Sequence, residues 1–193
     1  MKRFLFIIFS CLSTFSFSHA QSVGLKTNIL YLSSSTPNLG MEFSLTPKST
    51  LSLVGGYNAL NYPSQIRHGV RINSKLHHWL VMPEYKYWFC RSFERHYLGV
   101  HAVYSKFNMG GISFIDKLSD DRYEGDFYGG GISWGYQWAF GDRWGLEFSL
   151  GLGYLHFNYK KYQCGACGDY KGKYKRNYVG PTKAAISLIY YVK

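Results

Sequence analysis

Thirteen consecutive residues, Tyr128-Gly-Gly-Gly-Ile-Ser-Trp-Gly-Tyr-Gln-Trp-Ala-Phe140, constrain this chain more than any other stretch. Written as an extended strand, they send Tyr128, Ile132, Trp134, Tyr136, Trp138 and Phe140 to one side, with Gly130 as the gap. Gly129, Gly131, Ser133, Gly135, Gln137 and Ala139 go to the other, because successive side chains of a strand point to opposite faces. One face is bulky and apolar, the other small and polar. A small membrane barrel requires that division, since its outer face meets lipid and its narrow interior holds small or paired polar groups.

Alternating runs of this kind occur at about 22–32, 38–46, 50–59, 76–90, 96–106, 125–140, 143–158 and 178–192. Eight is an even number, as bacterial single-chain barrels require. Tight connections follow the second, fourth and sixth runs: Thr46–Ser49, Arg91–Arg95 and Gly141–Arg143. Longer ones follow the third, fifth and seventh, at about 60–75, 107–124 and 159–177. The expected fold is therefore all-β: an eight-stranded antiparallel up-and-down transmembrane barrel, with long loops on one side and short turns on the other. Pro83 lies inside the fourth run, where it removes a ladder donor, and a β-bulge is expected there.

The first twenty residues have the charged, apolar and small-residue order of an export signal, with Lys2 and Arg3 before the apolar run and Ser18-His-Ala20 at its end. The expectation is a signal peptide at 1–20, a single barrel domain at 21–193 and residence in the outer membrane. The modest mean hydropathy of -0.20 is compatible with this, because only every second residue of a barrel strand must be apolar. Aromatic residues make up 19% of the chain and fall into two groups. Tyr31, Tyr57, Trp79, Tyr104, Tyr128 and Tyr154 lie near the long connections, and Phe89, Trp138, Phe140, Trp144 and Tyr190 near the short ones. Two girdles at the membrane boundaries are the expected outcome.

Charges on the small-residue face are Lys26, Glu42, Glu84, Lys86, Glu147 and Lys183, three of each sign. Balanced charges in a narrow lumen predict ion pairs and a plugged interior, because a buried charge is tolerated only when paired. The whole chain carries a formal charge of +11. For an exported protein this favours lipid headgroups, lipopolysaccharide phosphates or anionic glycans over nucleic acid.

Cys164-Gly-Ala-Cys167 in the last long connection is the sharpest short motif. Its two thiols suit a disulfide staple, half of a tetrahedral zinc site or a redox pair. The disulfide is the expected state, with Cys164 and Cys167 as candidate metal ligands only if a partner completes the site. Around them Lys160, Lys161, Lys171, Lys173, Lys175 and Arg176 alternate with aromatics including Tyr170 and Tyr174. Cations interleaved with aromatics suit contacts to phosphate or sugar, and these residues are the candidate surface-binding set. An enzymatic reading would recruit His77, His78, His101 or His156 with Ser105 or Glu84, but no revealing nucleophile–base spacing exists. No catalytic residue and no cofactor are expected.

These segments together resemble a domain-of-unknown-function family of Bacteroidota, small exported barrels often encoded near fimbria-type genes. The resemblance rests on Gly24-Leu-Lys-Thr-Asn-Ile-Leu-Tyr31, Thr36-Pro-Asn-Leu-Gly-Met-Glu-Phe43, His78-Trp-Leu-Val-Met-Pro-Glu-Tyr85, Arg122-Tyr-Glu-Gly125, Tyr128–Tyr136, Cys164–Gly168 and Gly180–Tyr190. It implies a β-barrel and brings no agreed activity or ligand residue. The functional expectation is a non-enzymatic outer-membrane protein whose loops serve surface interaction or fimbria and envelope assembly. Its partners would be membrane lipid and lipopolysaccharide, fimbrial or other envelope proteins, or anionic glycans. A lipid-modifying barrel enzyme and a soluble periplasmic sandwich or lipocalin-like carrier are the alternatives.

Overall fold

A computed structural model describes residues 23–61, 65–67, 70–72, 75–111, 121–163 and 169–192. The strands are β1 (Val23–Asn28), β2 (Asn38–Thr46), β3 (Ser49–Asn61), β4 (Gln65–Arg67), β5 (Val70–Ile72), β6 (Lys75–Trp88), β7 (Arg95–Gly110), β8 (Asp121–Phe140), β9 (Trp144–Gln163) and β10 (Tyr170–Val192). One short helix, α1 (Ile29–Ser33), follows β1. Eight of the strands close in the order β1-β10-β9-β8-β7-β6-β3-β2, and β4 and β5 form a separate hairpin. Each barrel strand runs antiparallel to both neighbours. The protein is a closed, eight-stranded, up-and-down barrel, as its alternation predicts.

Alternation places the apolar face outward. Ile132, Leu150, Leu152, Leu39 and Val100, from four different strands, are each 61–67% exposed. Inward positions hold Glu42, Ser52, Glu84, Lys86, Ser133 and Glu147, all at most 3% exposed. Inward glycines make room for longer neighbours. A Cβ on Gly135 would sit 2.5 Å from the Tyr97 ring, and one on Gly151 would sit 2.8 Å from His101 and 3.0 Å from Lys183.

The interior is layered along the barrel axis. At the tight-turn end, Trp88, Phe93, Tyr97 and Ile189 are buried, with the Trp88 and Tyr97 rings 4.8 Å apart. Phe93 belongs to the β6–β7 turn and reaches this floor from a left-handed backbone (φ 68°), a conformation disfavoured for a bulky residue. Its contacts with Trp88 (6.1 Å) and Tyr191 (5.5 Å) hold it there. The charged residues form the next layer. Met82, Val103 and Leu155, packed with Val54, Leu80, Phe127 and Phe157, form an apolar layer beyond them.

Four expectations are corrected. The first run does not continue to residue 32. Asn28 ends β1, and its side-chain oxygen accepts from Leu30 N to cap α1, so Tyr31 lies in a helix rather than a strand girdle. Pro83 causes no bulge: it pairs with Leu53 in an unshifted β3–β6 register, and the β6–β7 register is the same on both sides of it. Its missing N–H leaves a gap in the ladder without a change of phase. Register shifts fall elsewhere, between Ser44 and Thr46, between Tyr170 and Gly172, and between Pro181 and Lys183, where Thr182 is the extra residue. Finally, strands run into the expected long connections: β8 begins at Asp121, β9 ends at Gln163 and β10 begins at Tyr170.

Strand lengths make the rim uneven. β1 and β2 have 6 and 9 residues, whereas β8, β9 and β10 have 20, 20 and 23. The wall is therefore low on the β1–β2 side and tall on the β7–β10 side. The tight-turn end is even by contrast, with Gly141 taking a left-handed φ of 74° to close the β8–β9 turn.

Candidate functional site

All six predicted lumen charges meet in one network. Lys86 Nζ lies 2.7 Å from Glu42 Oε2 and 2.7 Å from Glu147 Oε2. Lys26 Nζ reaches the same two carboxylates at 3.0 and 3.7 Å. Lys183 Nζ donates to both oxygens of Glu84 at 2.7 Å and approaches Glu147 Oε1 at 4.0 Å. Neutral donors complete the carboxylates: Thr50 to Glu42 (2.6 Å), Tyr97 to Glu147 (2.7 Å) and Ser133 to Glu84 (2.6 Å). Lys86 also sits 4.4 Å from the centre of the Tyr97 ring, so aromatic faces as well as carboxylates offset its lost hydration. The void beside Lys26, Glu147 and Lys183 is only about 20 Å³, room for a single water.

Of the residues of the enzymatic reading, only Glu84 and His101 are direct cross-strand partners, and each is engaged elsewhere. His101 is buried with Nε2 2.8 Å from Thr182 Oγ1, and Ser105 Oγ donates to the Trp79 carbonyl. His77, His78 and His156 contact Asn61, Thr36 and Asn177. Glu84 is held by Lys183 and Ser133, and among the described residues no hydrogen bond joins a histidine to Ser105 or Glu84. No cluster of three His, Cys, Asp or Glu able to hold a metal occurs among the described residues. Cys164 and Cys167, like the signal segment at 1–20, lie outside the described residues. Cys90, near the opposite end, is a free, exposed thiol.

Above the apolar layer the tall strands enclose a cavity of about 650 Å³, bounded by β3 on one wall and β10 on the other. Asn58, His78, Phe107 and Tyr159 line it from inward positions. Lys106, Lys160, Lys173 and Lys175 also border it, against only Glu124 and Asp126. His78 carries a buried Nδ1 without a hydrogen-bond partner. The mouth is thus an aromatic, polar cup over a closed floor, with these lysines and carboxylates on the outward face of its wall.

The predicted surface-binding set lies on the strands of this cup. Lys160 and Lys161 end β9, while Tyr170, Lys171, Lys173, Tyr174, Lys175 and Arg176 begin β10. Tyr174 stacks on Tyr159 at 5.8 Å, and Tyr162 meets Tyr170 at 5.6 Å. Asp121, at the tip of β8, holds Lys161 at 2.7 Å and Lys171 at 2.9 Å. Partial burial pushes the Asp121 carboxyl up, but hydrogen bonds from Lys161 and Lys171 outweigh it and hold the group below the usual carboxylate range. The hydrogen bond that Lys161 donates to Asp121 raises Lys161 in turn. Lys173 and Lys175 have no ion-pair partner among the described residues.

Two features escaped the sequence reading. The aromatic floor could have been found by carrying the inward series Glu84, Lys86 one step further to Trp88. The role of Phe93 could not, because it depends on a left-handed turn that no local pattern marks.

The fold and its filling define a closed eight-stranded barrel with apolar side chains outside and ion pairs within. Over residues 5–192 the chain matches the family described as "Protein of unknown function (DUF3575)", and it belongs to that family. No curated protein matches it.

Proposed function

We propose that this protein is an exported outer-membrane barrel, non-enzymatic, that holds its tall strands and their connections outside the cell for surface interaction or envelope assembly. The observation that carries this reading is the inside-out polarity of the barrel. Leucine, isoleucine and valine are exposed on the outer wall while glutamate and lysine are buried inside it. A soluble carrier would bury the first set and solvate the second. A lipid core inverts the preference, with a charge at the bilayer midplane costing roughly 2–4 kcal/mol on the outer face.

Strand length supports the same reading. About 9–11 residues per strand cross a bilayer, so β8, β9 and β10, at 20, 20 and 23 residues, extend well past it. Exposed aromatics mark two levels on the outer wall. Tyr57, Trp79, Tyr104, Tyr128 and Tyr154 form one, and Phe89, Trp138, Phe140 and Trp144 the other. Lipid and lipopolysaccharide then surround the belt, and fimbrial or other envelope proteins or anionic glycans are the partners of the cup and its basic outward face.

Orientation is tested by cysteine labelling in a chain whose native cysteines are replaced by serine. Lys173→Cys should react with a membrane-impermeant maleimide on intact cells, and Arg143→Cys only after lysis. Release of the protein by osmotic shock, or labelling of neither site until lysis, would overturn the reading.

A further inference from the structure

The uneven rim leaves the upper part of one long strand edge without a strand partner among the described residues, the short helix α1 packing against β10 just above β1. β10 pairs with β9 from Tyr170 to Tyr190, but β1 covers it only from Ser187 to Val192. Asn28 extends that cover by one rung: its side-chain amide donates to the Ala184 carbonyl and accepts from Ile186 N. Above this point no backbone hydrogen bond from another described strand reaches β10 on the β1 side. Outward residues of a regular strand all turn their N–H and C=O toward the same edge. Ala184 and Ile186 turn theirs to Asn28, and beyond the Thr182 bulge the outward residues are Lys173, Lys175, Asn177 and Val179. These four present open donors and acceptors to whatever lies beside β10.

We propose that this edge receives an extended acidic peptide segment of a partner protein, which adds a strand to the barrel wall above β1. The inference rests on the proposed surface display and supplies its binding mode. Exposed edges are templates for strand addition, with main-chain bonds supplying affinity and alternate side chains supplying choice. Charge selects the occupant. No Asp or Glu occurs from Tyr170 to the end of the chain, and Lys173 and Lys175 lack the carboxylate that Asp121 gives Lys171. An added strand would set its outward residues beside Lys173 and Lys175 and its inward residues beside Tyr174 and Tyr178. The preferred peptide therefore carries Asp or Glu at every second position, with aliphatic or aromatic residues between. Pro181 and the bulge at Thr182 end the ladder at its lower limit. Lysines also serve to repel unwanted strands from an edge, and the experiment separates that use from this one.

Purified full-length protein in detergent micelles is offered a library of ten-residue peptides with Asp or Glu at alternate positions and mixed apolar residues between. Captured peptides should protect the amides of Lys173, Lys175, Asn177 and Val179 from hydrogen exchange. Methylating alternate peptide nitrogens should weaken binding at least tenfold. Val179→Pro, which removes one free-edge donor and leaves the β9 ladder intact, should weaken it similarly. A K173E/K175E chain should prefer the lysine counterpart of the library. No capture, capture indifferent to N-methylation, or protection produced by a second copy of the chain would each overturn the proposal. Micelles supply the barrel whatever the maleimide labelling returns, so the two readings fail separately.

Discussion

Below the level of Met82, the strands of this barrel turn paired charges and small residues inward, and every ion is met by another ion or a neutral donor. Above it, the same strands carry Tyr159, Tyr174, Lys160, Lys173 and Lys175 around an open cup. The lower part spends its charges on itself: Lys86 alone touches Glu42 and Glu147 and lies over Tyr97. The upper part leaves Lys173 and Lys175 without carboxylates and one edge of β10 without a strand partner among the described residues. A filled lumen gives rigidity and no free ions. A tall rim gives free groups and little packing of its own. The contrast locates recognition in the rim and stability in the lumen.

That division can be broken most easily at the ionic layer. Glu147→Leu leaves Lys86 and Lys26 short of a partner in a buried site, and removing one member of such a network costs about 3–5 kcal/mol. Urea unfolding of the micellar barrel, followed by tryptophan fluorescence, should show a loss of this size. If Glu84→Leu is instead combined with Lys183→Met, the charges leave together and the cost should fall well below that of Glu84→Leu alone. Next in size is Gly135→Val, whose added carbons meet the Tyr97 ring. Overpacking of this kind costs about 1–3 kcal/mol, read from the same urea midpoint.

Smaller effects belong to the rim. The folded Asp121 carboxyl is held below its unfolded value, so its contribution is complete above the ordinary carboxylate range. It is lost as pH falls through the folded value. For this partly exposed pair the effect is about 0.2–1 kcal/mol. Amides at the tips of β8 and β10 should lose protection, relative to their intrinsic exchange rate at each pH, as the solution is acidified, and Asp121→Asn should remove that dependence. Smallest of all, K173E/K175E should leave barrel stability within about 0.5 kcal/mol of the parent while altering peptide capture. A large stability loss there would mean that the rim is packed like the lumen, and the contrast would fail.

Which parts were legible in the sequence follows the same line. Alternation at period two is a local signal, so the barrel, its outward belt and the six lumen charges could be read directly from residues such as Glu42, Lys86 and Glu147. The upper strands carry no apolar face: Lys171 to Tyr178 alternates tyrosine with cations and reads as a loop, although tyrosine favours strands once a neighbour pairs with it. Ile29 to Leu32 continues the apolar run of β1, and only the capping oxygen of Asn28 separates the helix from a strand. Pro83 drew the expected bulge because proline removes a donor. The chain tolerates that gap, and the shift at Thr182 leaves no compositional mark beyond the neighbouring Pro181. The open edge of β10 arises from the mismatch between a 6-residue and a 23-residue strand, which single segments cannot reveal.

The central claim is that the exposed leucines and aromatics of the outer wall face lipid while the wall closes over paired charges. Its most direct test is an outer-membrane fraction run unboiled and boiled on a denaturing gel, because a closed membrane barrel resists detergent until heated. The account predicts that the protein is found in that fraction and that its migration shifts on boiling. A protein recovered in the periplasmic wash, migrating identically with and without heat, would contradict it.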